Sequence, residues 1–169
     1  METQIKYSRD ARTGLVKGIN KLADAVVSTL GPNGRNVVIF KGVGAPPQST
    51  KDGVTVAKSV ILNDPSEELG VTLIKQAAVK TADKAGDGTT TSTLLARDMV
   101  VNGLDALNNN ENAVQIKRDI DKTVQSVIKN LKKNISEDIS EEGQLEQIAT
   151  VSSNNDPESP HEPKGPVGR

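Results

Sequence analysis

Apolar residues recur at threes and fours over most of this chain and give way to a short strand-like run in one place. From Asp10, Leu15, Ile19, Leu22, Ala23, Val26, Val27 and Leu30 trace one face of an amphipathic helix. That helix stops at Gly31-Pro32-Asn33-Gly34, a glycine just past the last turn with proline next. Before it, residues 3–8 suit a short edge strand with Ile5 and Tyr7 on one side. After it, Asn36-Val37-Val38-Ile39-Phe40 reads as a strand, residues 41–47 as a Gly/Pro loop, and residues 48–51 as a return strand. The two strands make a small hairpin. Asp52-Gly53 then turns the chain into a short amphipathic piece carrying Val54, Val56, Ala57 and Val60.

The second half is helical throughout. Asp64-Pro65-Ser66-Glu67 is a start signal, with Asp64 as cap, Pro65 in the first turn and Glu67 completing a capping box. Leu69, Leu73, Ile74, Ala77 and Ala78 give the expected buried stripe, and Gly86 lies past its end. A further helix carries Leu94, Leu95, Met99, Val100, Leu104 and Leu107 and breaks at Asn108-Asn109-Asn110. Asn112 with Gln115 opens a long helix bearing Ala113, Ile116, Ile120, Val124, Val127, Ile128 and Leu131, its other face Lys/Arg/Asp-rich and solvated. Residues 136–143 turn acidic, and a shorter helix with Leu145 and Ile148 leads towards Val151. The fold class expected is mainly α, a bundle of long helices with a small β-hairpin.

The chemistry concentrates in Ala85-Gly86-Asp87-Gly88-Thr89-Thr90-Thr91-Ser92-Thr93, where two glycines bracket a carboxylate and hydroxyls follow at a helix start. Free backbone N–H groups and the positive end of the helix dipole make such a start an anion site. Thr89, Thr90 and Thr91 add hydroxyl donors, and Asp87 suits a divalent cation facing phosphate oxygens. An ordinary capped helix start explains the same residues. Two further places carry the same ambiguity. Thr29-Leu30-Gly31-Pro32 is either a plain helix stop or a second phosphate-contacting turn, and Asp52 is either a cap or a carboxylate at the mouth of a site.

Composition narrows the classes. The 169 residues suffice for one modest domain with a core. Charges nearly cancel, 21 Lys+Arg against 22 Asp+Glu, and are interspersed, which argues against a nucleic-acid or membrane-surface protein. Cysteine is absent, which removes disulfide and thiolate chemistry and fits a reducing compartment. With neither a signal peptide nor a long apolar run, the expectation is a soluble cytoplasmic protein. Tyr7 and Phe40 are the only aromatic residues, so the core must be Val, Ile, Leu and Ala, each contact burying little area. Residues 158–169 lack periodicity, and half of the chain's eight prolines lie from Pro157 onward, the composition of a disordered tail. The single histidine, His161, sits there, with nothing rigid to position it as a base.

Four segments in this order are specific together: Thr29-Leu30-Gly31-Pro32-Asn33-Gly34-Arg35-Asn36-Val37-Val38, Gly44-Ala45-Pro46, Thr50-Lys51-Asp52-Gly53-Val54 and Ala85-Gly86-Asp87-Gly88-Thr89-Thr90-Thr91. With Val151-Ser152-Ser153-Asn154-Asn155-Asp156 they make the chain resemble, over residues 3–156, the N-terminal part of a group I (GroEL-like) chaperonin. That family couples ATP hydrolysis to protein folding. Its subunits have equatorial, intermediate and apical domains, form homo-oligomeric rings, enclose unfolded proteins and work with a co-chaperonin. The resemblance implies an equatorial ATP-binding segment over residues 1–135, the start of an intermediate domain over 136–157, and the Pro-rich tail beyond.

It also implies residue roles. Thr29, Leu30, Gly31 and Pro32 match a phosphate-contacting turn, and Asp87, Gly88, Thr89, Thr90 and Thr91 match a phosphate segment with Asp87 on Mg2+. Lys51 matches a backbone position at the nucleotide and monovalent-cation (K+) site, and Asp52 matches the carboxylate that places the attacking water. Family subunits are several times longer than 169 residues, and they supply a C-terminal equatorial return and a second catalytic aspartate from later sequence. Two expectations follow. One is the N-terminal part of an ATP-driven chaperone, as a fragment or a truncated product. The other is a non-hydrolysing interaction module that docks onto chaperonin subunits through the hairpin at residues 36–40.

Overall fold

The computed structural model describes residues 5, 7–139 and 142–152. In chain order the elements are α1 (Ser8–Val27), β1 (Val37–Ile39), β2 (Gln48–Thr50), α2 (Gly53–Ser59), α3 (Pro65–Ala85), α4 (Thr89–Asn108), α5 (Ala113–Asn134) and α6 (Glu142–Ser152). The expected mainly helical architecture with one small hairpin is what forms. Ile5 and Tyr7 lie outside any strand, and α1 begins at Ser8 with Tyr7 as its cap residue. The remaining positions of the expected edge strand are Thr3, Gln4 and Lys6, outside the described residues, and the tail with His161 lies outside them too. The chain divides after Asn102 into two compact units.

In the first unit, α1 and α3 pack closely because each offers a glycine to the other's backbone. A Cβ at Gly18 would fall 1.8 Å from the Glu67 carbonyl oxygen, and one at Gly70 would fall 2.2 Å from that of Leu15. Only a residue with no side chain allows that approach. The contact places Ile19, Leu22 and Val26 of α1 against Val71, Ile74 and Ala78 of α3, with Val56 and Ala57 of α2 completing the core. Each fully buried Leu or Val contributes roughly 1.5–3 kcal/mol by area.

The expected stripe of α3 is half right. Ile74 and Ala78 are buried, but Leu69 and Leu73 are 54% and 51% exposed, because the face meeting α1 is centred on Gly70 and Val71. The helix expected over Leu94 to Leu107 forms as α4. Its buried residues are Thr89 and Thr93, while Leu95, Met99 and Val100 are exposed. Thr93 tolerates full burial because its hydroxyl donates to the Thr89 carbonyl at 2.8 Å.

Caps fix the helix starts. Asp64 accepts from the Ser66 and Glu67 N–H groups, with Pro65 opening α3. Glu67 also pairs across to Lys21 of α1. The connection between α2 and α3 is held by α3 itself: Lys75 Nζ donates to the Val60 carbonyl at 3.1 Å, and Glu68 Oε2 accepts from Leu62 N–H at 2.7 Å. The hairpin is antiparallel, pairing Val37 with Thr50, Val38 with Ser49 and Ile39 with Gln48. Val37 packs against the core, whereas Val38 and Phe40 are 66% and 73% exposed.

In the second unit, Asn112 caps α5 by accepting from Val114 and Gln115 N–H. The Gln115 amide reaches forward to Asp119 at 2.9 Å. No described residue of α5 is buried: Val114, Val127, Ile128 and Leu131 of its apolar face are all exposed. In α6, Leu145, Ile148 and Val151 are exposed as well.

Candidate functional site

Three segments of the first unit that are far apart in sequence meet at the start of α4. The first is the end of α1. There Ser28 and Thr29 turn their hydroxyls back onto the Ala25 and Val26 carbonyls, both at 2.7 Å, the Val26 carbonyl also accepting the Thr29 N–H at 3.1 Å. Gly31 follows at φ 72°, the left-handed conformation a glycine stop provides. The second is the passage from β2 into α2 through Lys51, Asp52 and Gly53. The third is the turn from α3 to α4, where Gly86 and Gly88, at φ 75° and 77°, flank Asp87.

Their meeting point is made of hydroxyls and one missing side chain. Thr29 Oγ1 and Thr90 Oγ1 lie 3.2 Å apart; because Thr29 spends its proton on Val26, Thr90 is the donor between them. A Cβ at Gly53 would sit 2.4 Å from Thr90 Oγ1, 3.0 Å from Thr89 Oγ1 and 3.3 Å from Thr90 N. Gly53 therefore lets the start of α2 rest directly on the start of α4. The carboxylate of Asp52 caps α2, accepting from Val54 N–H at 3.3 Å, Thr55 N–H at 3.0 Å and the Thr55 hydroxyl. Its own N–H donates to Thr50 Oγ1 at 3.0 Å.

Of the residues singled out from the sequence, Thr29, Thr89 and Thr90 are thus brought together, with Asp52 adjacent to Gly53 at the contact. Leu30, Gly31, Pro32, Lys51, Asp87, Gly88 and Thr91 are exposed on the same three segments. The Asp87 carboxylate accepts from the N–H of Gly88. Asp52 makes the bonds expected of a cap residue, so it has a structural role whatever else it does, whereas the Asp87 contact to the adjacent N–H is not a cap bond. Gly53 and Thr55 were not singled out from the sequence. The signal available for Thr55 was its place three residues after a cap aspartate, where its hydroxyl meets the carboxylate.

The donor set suits a phosphate group. By helix geometry the first N–H groups of α4, at Thr89, Thr90 and Thr91, have no acceptor within the helix, and they add positive potential to the threonine hydroxyls. No group of three or more His, Cys, Asp or Glu suited to a metal occurs among the described residues. A magnesium ion here would therefore be held by no more than two carboxylates together with phosphate oxygens and water, a coordination ordinary for Mg2+. No helix is long and apolar enough to cross a membrane among the described residues.

Comparison with known proteins agrees with this arrangement of elements. Residues 22–163 match the TCP-1/cpn60 chaperonin family. Among solved structures, the chaperonin gp146 from bacteriophage EL 2 (Pseudomonas aeruginosa), crystallised in presence of ATP-BeFx, superposes with a TM-score of 0.73 at 35% identity. That match covers 94% of this chain and 28% of gp146. A second crystal form of gp146, also with ATP-BeFx, gives 0.70 at 36% identity over 89% of this chain and 26% of that one. The chain thus spans little more than a quarter of the chaperonin it matches. Its helices, hairpin and glycine turns are those of a chaperonin equatorial-type fold, and the chain belongs to the TCP-1/cpn60 chaperonin family.

Proposed function

We propose that this chain carries the N-terminal half of the nucleotide site of an ATP-dependent protein-folding chaperonin. The observation that supports it is the junction of Thr29, Gly53, Thr89 and Thr90, three separate segments converging on one helix N-terminus. In this reading residues 1–135 belong to the equatorial domain and 136–157 begin the intermediate domain. Thr29, Leu30, Gly31 and Pro32 form one wall of the phosphate pocket, and Asp87, Gly88, Thr89, Thr90 and Thr91 form the other. Asp87 would hold Mg2+, and the Lys51 backbone would belong to a K+ site. Magnesium, when bound, neutralises charge on the phosphate oxygens. The chain's own part is positional: the free backbone N–H groups at the start of α4 and the hydroxyls of Thr89 and Thr91 fix the phosphates, and Asp52 orients the attacking water. That gp146 was crystallised with ATP-BeFx supports nucleotide as the ligand. The partners are further chaperonin subunits in a ring, unfolded proteins and a co-chaperonin, in a cytoplasmic setting.

The test is Mg-nucleotide binding by the chain, read by calorimetry, with Asp87→Ala alongside. Loss of binding in the variant is expected. Equal binding would reduce the turn at Gly86-Asp87-Gly88 to a plain helix start. Because the family completes its hydrolytic site with later sequence, turnover by these 169 residues alone should be negligible. Turnover abolished by Asp52→Ala would refute that.

A second reading, a non-hydrolysing module that docks onto chaperonin subunits, draws support from Val38 and Phe40, exposed on the side of the hairpin away from the core. Mg-nucleotide binding with Asp87 dependence would favour the first reading over it.

A further inference from the structure

The geometry points to Thr55 as the residue that aims Asp52, a positioning role that rests on the nucleotide-site reading above. An ionised carboxylate offers about four lone-pair sites, two on each oxygen. In Asp52 the two oxygens are used unequally. Oδ2 receives both the backbone N–H and the hydroxyl of Thr55, so its sites are filled. Oδ1 receives only Val54 N–H, at 3.3 Å, beyond the usual range for such a bond. One strong site therefore stays open, and it is on Oδ1.

A helix cap needs only the backbone donors. The Thr55 hydroxyl is a third, charge-assisted bond, and its effect is to stop the carboxylate rotating about its own axis. From the other side, Thr50 Oγ1 holds the Asp52 N–H, so side chain and backbone are both tied. Gly53, the next residue, lies against Thr89 and Thr90, which fixes the whole assembly relative to the start of α4. Hydrolysis adds a water oxygen to the γ-phosphorus and breaks its bond to the β,γ-bridging oxygen, giving ADP and inorganic phosphate with release of one proton. Asp52 Oδ1 accepts a hydrogen bond from that water, and Thr55 decides that Oδ1, rather than Oδ2, presents the open site.

The experiment compares two ligands on the chain: Mg-ADP, and Mg-ADP with aluminium fluoride, whose planar fluoride stands for the phosphoryl group in transfer and retains an in-line water. Affinities are measured for the unsubstituted chain, Thr55→Val and Thr55→Ser. Thr55→Val should keep Mg-ADP affinity within about twofold and weaken the fluoride complex roughly tenfold, since one bond to a charged group is lost. Thr55→Ser, which keeps the hydroxyl, should restore it. Equal weakening of both ligands makes Thr55 a mere structural cap and overturns the assignment, as does no change in either. If Thr55→Val fails to fold by circular dichroism, Thr55→Ala supplies the same loss of donor with less bulk at a half-buried position. An unsubstituted chain that binds neither ligand overturns the nucleotide site itself, and Thr55's role with it; one that binds Mg-ADP no more tightly with the fluoride than without it overturns Thr55's role alone. Both outcomes are seen before any substitution is made, so the two failures are distinguishable.

Discussion

Helices α1 and α5 are near equals in length, and both carry apolar residues along one face, yet α1 is buried there while α5 is at most half-buried, at Ile116, Ile120 and Val124. In α1, Ile19, Leu22, Ala23 and Val26 are buried, against α3 and α2. In α5, the more regularly patterned of the two, no described residue is buried. An amphipathic stripe states that a helix is built to be covered; it does not say by what. What separates the two is the glycine contact. Gly18 and Gly70 let α1 and α3 approach until backbone meets backbone, whereas the glycine facing α5, Gly103 of α4, leaves only an ordinary contact, a Cβ there lying 3.8 Å from Ile116 Cγ2.

The contrast can be broken from either side. Leu22→Ala should have the largest effect, about 2–5 kcal/mol off stability in a urea melt followed at 222 nm, because Leu22 is wholly enclosed. Gly18→Ala should come next, at about 1–3 kcal/mol, since its methyl meets the Glu67 backbone rather than a movable side chain. Asn112→Ala should cost about 1 kcal/mol of helix stability, seen as faster amide exchange in the first turn of α5. Smallest of all, Ile128→Ser on the bare face of α5 should change stability by no more than about 0.5 kcal/mol. It should also raise solubility, and a loss comparable to that of Leu22→Ala would mean that α5 is covered in solution. Hydrogen exchange sharpens the comparison: amides of α1 around Leu22 should be the slowest in the chain and those of α5 around Ile128 much faster.

The sequence made the helices and their starts legible because caps and periodicity are local. Asp52, Asp64 and Asn112 each accept the backbone bonds their positions implied. It hid the faces of α3 and α4. Counting apolar residues in α3 favours Leu69 and Leu73, but the contact with α1 is centred on Gly70, which carries no hydrophobic signal. In α4 the buried side chains are threonines, whose hydroxyls are polar in any tally until they find an acceptor such as the Thr89 carbonyl. The candidate site divides the same way. Thr29 and Thr90 stand out in sequence as hydroxyls beside glycine turns, and they lie within hydrogen-bond distance. Thr55 carries a local signal, three residues after the cap aspartate, but Gly53 acts through its contact with Thr89 and Thr90, far away in sequence.

The paired glycines of α1 and α3 also bear on how this sequence can change over generations. Each lies against a carbonyl oxygen of the opposite helix, so a methyl at either site collides with main chain that cannot be exchanged by a second mutation. A side chain at Gly18 or Gly70 therefore forces the two helices apart, so its cost falls on the whole α1–α3 contact rather than on one neighbouring side chain. In a library holding every single replacement, those two positions should accept almost nothing, while the outward positions of α5 should accept nearly any residue that keeps a helix.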